Sequence, residues 1–315
     1  MPASVPPRRA LAAVVTAAAL ALAGCASRPE TTGSGPLVLG FVNGADTEFH
    51  TCLQKAVEQT AKAEGVQVVT ANSAQNPATE RTNVEDMIGR KVDALIVQTV
   101  SFDGLVGDIA AAGDAHVPIF LTSVVPDDTT GILGAAVVDL QKVGALDAGW
   151  IGTDAHGRQV QVAVISGSPG AASTLLVNGF MAALPSNARV VANKRAMFNP
   201  TTARAVAADM IKAYPGLGYA FVANEGMALA ARTAFDAAGA ENVRIVTVNG
   251  TDAGLAAVKD GRLSATVSNS ALSTGELAVH RVLDLLAGEK TEPIVQSPVL
   301  LVTKENVAQA PRYCP

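Results

Sequence analysis

The chain has 315 residues, with 23 basic and 28 acidic side chains and a formal net charge of −5. Hydrophobic residues make up 49% and charged residues 16%, which is enough apolar material for one large domain or two of ordinary size. An acidic chain without a basic run is excluded from the usual nucleic-acid binders and from proteins held on anionic lipid by charge.

The first segment reads as an export signal. Arg8 and Arg9 supply a positive start, and residues 10–23 form an apolar run too short to span a bilayer stably. The run ends in Leu22-Ala23-Gly24-Cys25, the layout of a bacterial lipobox. Residues 1–24 are therefore expected to be a lipoprotein signal peptide, and residues 25–36 a lipidated, Gly/Pro/Ser/Thr-rich tether. Acylation of Cys25 by two or more chains would hold the protein on a membrane at its extracytoplasmic face. Loss of Arg8 and Arg9, with no acid, moves the formal charge from −5 to −7.

Beyond the tether, short apolar runs alternate with amphipathic, Ala-rich segments. Strands are expected at 37–43, 66–70, 93–98 and 117–121, with helices at 47–64, 76–89 and 105–112 between them. The pattern repeats with strands at 160–166, 189–196, 219–223, 243–248, 263–267 and 298–302. Helices at 139–155, 171–184, 201–213, 226–238, 253–259 and 274–287 accompany them. Asn76-Pro77 is a helix start, and Gly65, Gly239 and Gly288 are helix stops. Continuous apolar strands separated by helices mean parallel sheets covered on both faces. Ten strands exceed one comfortable open sheet, so the fold class is α/β with two doubly wound parallel-sheet lobes. Ligands of such sheets sit beyond the carboxyl ends of the strands. The loops to watch are 43–49, 71–76, 98–103, 122–126, 166–172, 197–200, 223–226, 249–252 and 268–273.

Several stretches in this order resemble one family. They are Asn76-Pro77 with Asn83-Val84-Glu85-Asp86, residues 91–97 (KVDALIV), Val117-Pro118-Ile119, residues 224–231 (NEGMALAA) and residues 249–266 (NGTDAGLAAVKDGRLSAT). From residue 37 to about 303 the chain is similar to the type I periplasmic binding proteins of the ribose/galactose branch, the solute-binding components of sugar ABC transporters. The resemblance implies two lobes joined by three crossovers, near Val137, Asn269 and Pro293. The N-terminal lobe would hold residues 36–137 plus 270–292, and the C-terminal lobe residues 138–269 plus 293–315. It also implies closure of both lobes on one solute, docking on a permease, a monomeric state, and no cofactor or catalytic group.

Carried over position by position, the resemblance places Asn43, Phe49 and His50 in the first lobe's share of the cleft. It places Phe198, Asn224 and Asn249 in the second lobe's share, and Asn269 at a crossover. Aromatic faces suit the C–H face of a sugar, and side-chain amides read hydroxyls as donor and acceptor. Asn249-Gly250 is also ordinary turn chemistry, and His50 is either a ligand contact or a solvated residue. The departures are as informative. Thr122-Ser123-Val124-Val125 stands where ribose-type members carry Asp-Arg, Thr174 where they carry Arg, and Asn249 where they carry Asp. Loss of charged hydrogen-bonding groups points to a neutral hydroxylated solute such as a sugar, deoxysugar or polyol. Glu225 and Asp46 either pair with the ligand or cap a helix. Cys52 and Cys314 are either bridged or free, since export permits disulfides but spacing does not set distance.

Other functions fit less well. The loop Ser166-Gly167-Ser168-Pro169-Gly170 has no Walker lysine, no G-x-S-x-G elbow occurs, and the four His are scattered. An enzyme and a metal site are therefore not expected. A repressor would need a basic helix-turn-helix where this chain has a lipobox. A lipid-anchored receptor that signals to a membrane sensor, instead of feeding a permease, remains the alternative.

Overall fold

The computed structural model describes residues 35–315. The signal, Cys25 and nearly all of the tether lie outside them. The first lobe is built from β1 (Val38–Asn43), α1 (Glu48–Ala63), β2 (Gln67–Asn72), α2 (Pro77–Gly89), β3 (Ala94–Val97), α3 (Phe102–Asp114), β4 (Ile119–Ser123) and β5 (Gly134–Val137). The chain then crosses to a second lobe. This holds α4 (Leu140–Ala155), β6 (Val160–Ser166), α5 (Ala171–Ala183), β7 (Ala188–Arg195), α6 (Pro200–Ala213), β8 (Leu217–Val222), α7 (Glu225–Ala237), β9 (Arg244–Asn249), α8 (Asp252–Lys259) and β10 (Ala265–Asn269). It returns for α9 (Ala271–Leu286) and β11 (Ile294–Gln296), then crosses again for β12 (Val299–Val302).

Each lobe carries a six-stranded sheet. The orders are β11-β5-β4-β3-β1-β2 and β12-β10-β9-β8-β6-β7. All pairings are parallel except β10 with β12. The central strands are continuous apolar runs because helices cover both faces: β3 and β4 are buried at every position. The edge strands β2 and β7 are polar and partly exposed.

Helices start where a side chain satisfies the free backbone donors of the first turn. Asn76 accepts from Ala78 and Thr79, with Pro77 next; Ser101, Asn199, Asn224, Thr251 and Ser270 cap α3, α6, α7, α8 and α9. These caps follow the carboxyl ends of strands, so polar helix starts gather on the side of each sheet that faces the other lobe.

Two short strands were absent from the sequence expectation. β5 (GAAV) is small and wholly buried between β4 and β11, and β11 is three residues long. β11 moves the third crossover to Ser297 and Pro298, beyond Pro293, because it pairs with β5 in the first sheet. The tail also departs from the expected second lobe. Ser270 Oγ donates to the Arg312 carbonyl (2.7 Å), and Leu272 N to that of Tyr313 (2.9 Å). Tyr313 is buried among α1 and α9 side chains, and Cys314 is joined to Cys52 of α1. The chain end thus belongs to the first lobe.

Candidate functional site

The carboxyl ends of the two sheets face each other across a cavity of about 120 Å³, room for on the order of ten water positions or one molecule near monosaccharide size. The lobes touch along its wall. Ser168 Oγ of the second lobe donates to Gln75 Oε1 of the first. Gly170 lies so close to Val100 that a Cβ on it would come within 2.8 Å of the Val100 carbonyl oxygen.

Six of the seven expected residues line this cavity: Phe49, His50, Phe198, Asn224, Asn249 and Asn269. Asn43 does not. It is fully buried behind the wall, and its Nδ2 donates to the His50 carbonyl (2.9 Å), fastening the first turn of α1 to the end of β1. The physical reason is alternation along the strand: Gly44, the next residue, meets the cavity instead.

Each lining group is held by local structure. Phe49 and His50 lie in the first turn of α1 with their rings edge to face, 5.7 Å apart. His50 Nδ1 is 2.7 Å from Thr47 Oγ1, and Nε2 is 3.1 Å from Gln98 Oε1. Burial lowers the His50 pKa to about 4, against the raising effects of the Gln98 hydrogen bond and Asp46, so the ring is neutral. Phe198 sits in a left-handed turn with Met197 (φ 53° and 56°), and its ring lies over Gly167, where any side chain would collide with it. Asn224 caps α7 through Oδ1, which accepts from Met227 N (2.8 Å), leaving its amide nitrogen for the cavity. Asn249, at φ 133°, ends β9, and Asn269 ends β10 with Oδ1 buried and unpaired.

Sequence reasoning missed Gln75, Gln98, Thr99, Ser123, Ser168 and Ser173, which also line the wall. They stand at or just after the ends of β2, β3, β4 and β6 or in the first turn of α5, so the addresses were legible and the residues' roles were not. Thr174 borders a separate surface pocket; Ser173 is its neighbour on the cleft.

Among the described residues the wall carries no Asp, Glu, Lys or Arg. The acids near it work from behind. Glu225 is 1% exposed, and it neither caps a helix nor enters the cavity. Its oxygens accept from Gly250 N (2.9 Å), Thr251 N (2.7 Å) and Thr266 Oγ1 (2.6 Å), fixing the loop behind Asn249. Burial raises its pKa, as it does that of Asp147, which is fully buried with both oxygens unpaired. Glu80 does the same for the first lobe. It is fully buried and accepts from Val100 N (2.6 Å), while its Oε1 lies 2.7 Å from Thr99 Oγ1. Thr99 has one hydroxyl proton and also sits 3.0 Å from the Ser101 carbonyl. A protonated Glu80 that donates to Thr99 satisfies both contacts, in accord with burial raising its pKa to about 7. Burial raises its neighbour Asp108 to about 6, which Arg81 opposes. Asp46 is exposed and does not line the cavity.

Among the described residues no group of three or more His, Cys, Asp or Glu could hold a metal ion, and no helix is long and apolar enough to cross a membrane.

A family model described as "Periplasmic binding protein domain" matches residues 39–290. The ribose import binding protein RbsB of Bacillus subtilis is 26% identical over 308 residues, covering 95% of this chain and 100% of that protein. RbsB of Salmonella typhimurium is 27% identical over 271 residues, covering 85% and 90%. Among solved structures, an ABC transporter solute binding protein from Bacillus halodurans with bound myo-inositol superposes with a TM-score of 0.83 at 24% identity, covering 89% of this chain and 98% of that one.

Proposed function

The chain belongs to the periplasmic binding protein domain family, and on that premise we propose that it captures one small, neutral, polyhydroxylated solute outside the cytoplasm and delivers it to an ABC importer. It is a binding protein and not an enzyme. The observation that carries the solute class is the wall itself: two aromatic rings, one neutral imidazole, and amides and hydroxyls from both lobes, without a formal charge. A charged solute buried there would have no counter-ion, which is costly. A sugar or polyol offers C–H faces to Phe49 and Phe198 and hydroxyls to Gln98, Asn224, Asn249 and Asn269. The scarcity of charged donors favours a polyol or deoxysugar over ribose held through ion-assisted bonds.

The mechanism follows from the layout. A solute that touches both lobes binds the closed form better than the open one, so its differential affinity drives the hinge. The closed form, and not the open one, would then dock on the permease. The lipobox at Cys25 supplies the anchor in this reading, and one chain supplies one complete site, so a monomer suffices.

A thermal-shift series on residues 26–315 tests the proposal. Ribose, xylitol and myo-inositol serve as neutral probes, with glucuronate and glucosamine as charged controls. A neutral probe at a hundredfold excess over its Kd should stabilise the protein by about 2.7 kcal/mol. A shift with the charged controls alone would overturn the solute class. Binding without capture of the permease by the closed form would favour the sensor-linked receptor.

A further inference from the structure

Gln98 is buried at the end of β3, yet its side chain is held by a single partner, His50. The two are 48 positions apart in sequence. Gly44 lies against the Gln98 amide so closely that any side chain there would collide with it, so the glycine leaves the amide its place. The next link is Thr47, whose hydroxyl meets the other imidazole nitrogen. A neutral imidazole has one donor and one acceptor nitrogen. With the Thr47 hydroxyl donating to Nδ1, Nε2 carries the proton and donates to Gln98 Oε1. The Gln98 Nε2 group then has no protein partner among the described residues and lies on the cavity wall. Across the cleft, Asn224 is polarised the same way, because its Oδ1 is spent on capping α7. At the hinge, Asn269 Oδ1 is unpaired but fully buried, and so is not presented to the cavity.

We propose that His50 is a positioning residue that fixes the polarity of Gln98, so that both lobes meet the solute with amide N–H donors. This rests on the neutral-solute reading and deepens it. The solute accepts hydrogen bonds at Gln98 and Asn224, through hydroxyl or ring oxygens. An analogue lacking the oxygen opposite Gln98 leaves two buried N–H groups unpaired and is rejected. Asp46 is the charged group that acts on His50, and its partners Thr47 and Gln98 are neutral.

The first experiment uses ligand-free protein, so its result is independent of whether a probe binds. Long-range proton–nitrogen NMR of the His50 ring should show the Nε2–H tautomer, unchanged across the neutral range and protonating only near pH 4. An Nδ1–H tautomer, or titration near the ordinary value of about 6.5, overturns the relay. The second arm measures the affinity of ribose, xylitol and myo-inositol. For whichever probe binds, Gln98→Glu should lower affinity by about tenfold or more, and the carboxylate beside the ring should raise the His50 pKa. His50→Ala and Gln98→Ala should cost less together than the sum of the two alone; additive losses would also overturn it. If no probe binds, the solute class fails while the tautomer measurement still decides the relay.

Discussion

The two lobes solve the same problem with the same kind of part and different chemistry. Both sheets run in the same order, and in both a buried glutamate near a helix start braces the cleft loop after the next strand. In the first lobe, Glu80 faces one backbone donor and a threonine hydroxyl that already has an acceptor. In the second, Glu225 faces two backbone donors and a hydroxyl. One brace is best served by a group that both donates and accepts, the other by a group that mainly accepts. The first lobe has, in addition, a covalent fastening at Cys52 and Cys314 that the second lacks among the described residues. Similar topology therefore does not make the lobes equally sensitive to the same change.

The largest expected effect comes from that fastening. The bridge closes a loop with a sequence separation of 262 residues, so Cys314→Ser should destabilise the protein by about 4 kcal/mol. Hydrogen exchange should show the loss concentrated at α1, α9 and the tail. Equal loss of protection in the second lobe would break the comparison.

The glutamates give the sharpest contrast. In Glu80→Gln the amide nitrogen can donate to Thr99 and the oxygen accept from Val100 N, so stability at neutral pH should stay within about 1 kcal/mol. In Glu225→Gln one end of the amide must put its N–H against Gly250 N or Thr251 N, and the cost should be about 3 kcal/mol. Urea unfolding of both variants measures it, and equal costs would show that the braces are interchangeable.

The pH dependence follows from the same carboxyls. Glu80 at about 7 and Asp108 at about 6 lie above their ordinary values, so the folded state holds more protons than the unfolded one in that window. Stability should thus fall as pH rises from about 4 to about 7, by on the order of 2–3 kcal/mol for Glu80. Glu80→Gln should flatten the first lobe's share of this slope and leave that of Asp147 and Glu225, which are raised in the same sense. A slope unchanged by Glu80→Gln would show that Glu80 is ionised throughout.

The smallest effect on the fold is at Asn224. Removing its cap in Asn224→Ala should cost about 1 kcal/mol of stability, together with a loss of solute affinity. Asn224→Asp should keep the cap but present a carboxylate oxygen where the wall now has an N–H, so affinity should fall with the fold intact. Retained affinity in Asn224→Asp would remove Asn224 from the proposed contacts.

Much of the fold was legible along the chain. Asn76-Pro77 announces α2 because a cap and a preset φ act on neighbouring residues. The apolar runs of β3, β4 and β6 announce buried parallel strands because hydrophobic burial acts on consecutive residues. β5 and β11 were missed because four small residues and three largely exposed ones carry no such signal; pairing with β4 and with each other makes them strands. In the site the same division holds. Asn224, Asn249 and Asn269 stand at strand ends, where local geometry aims them. Asn43 stands at a strand end too, but the His50 carbonyl claims its amide.

The sequence by itself determined the α/β alternation, the two-lobe division, the loops that line the cavity and the absence of charged residues at the family's charged positions, because each depends on residues close together in the chain or on their identity alone. Only the tertiary structure decided that the tail returns to Cys52, that Glu80 and Glu225 brace from behind, and that Gln98 rather than Asn43 reaches the cavity. Those outcomes depend on which buried polar groups find each other across dozens or hundreds of residues, and burial makes an unpaired group costly without naming its partner in advance.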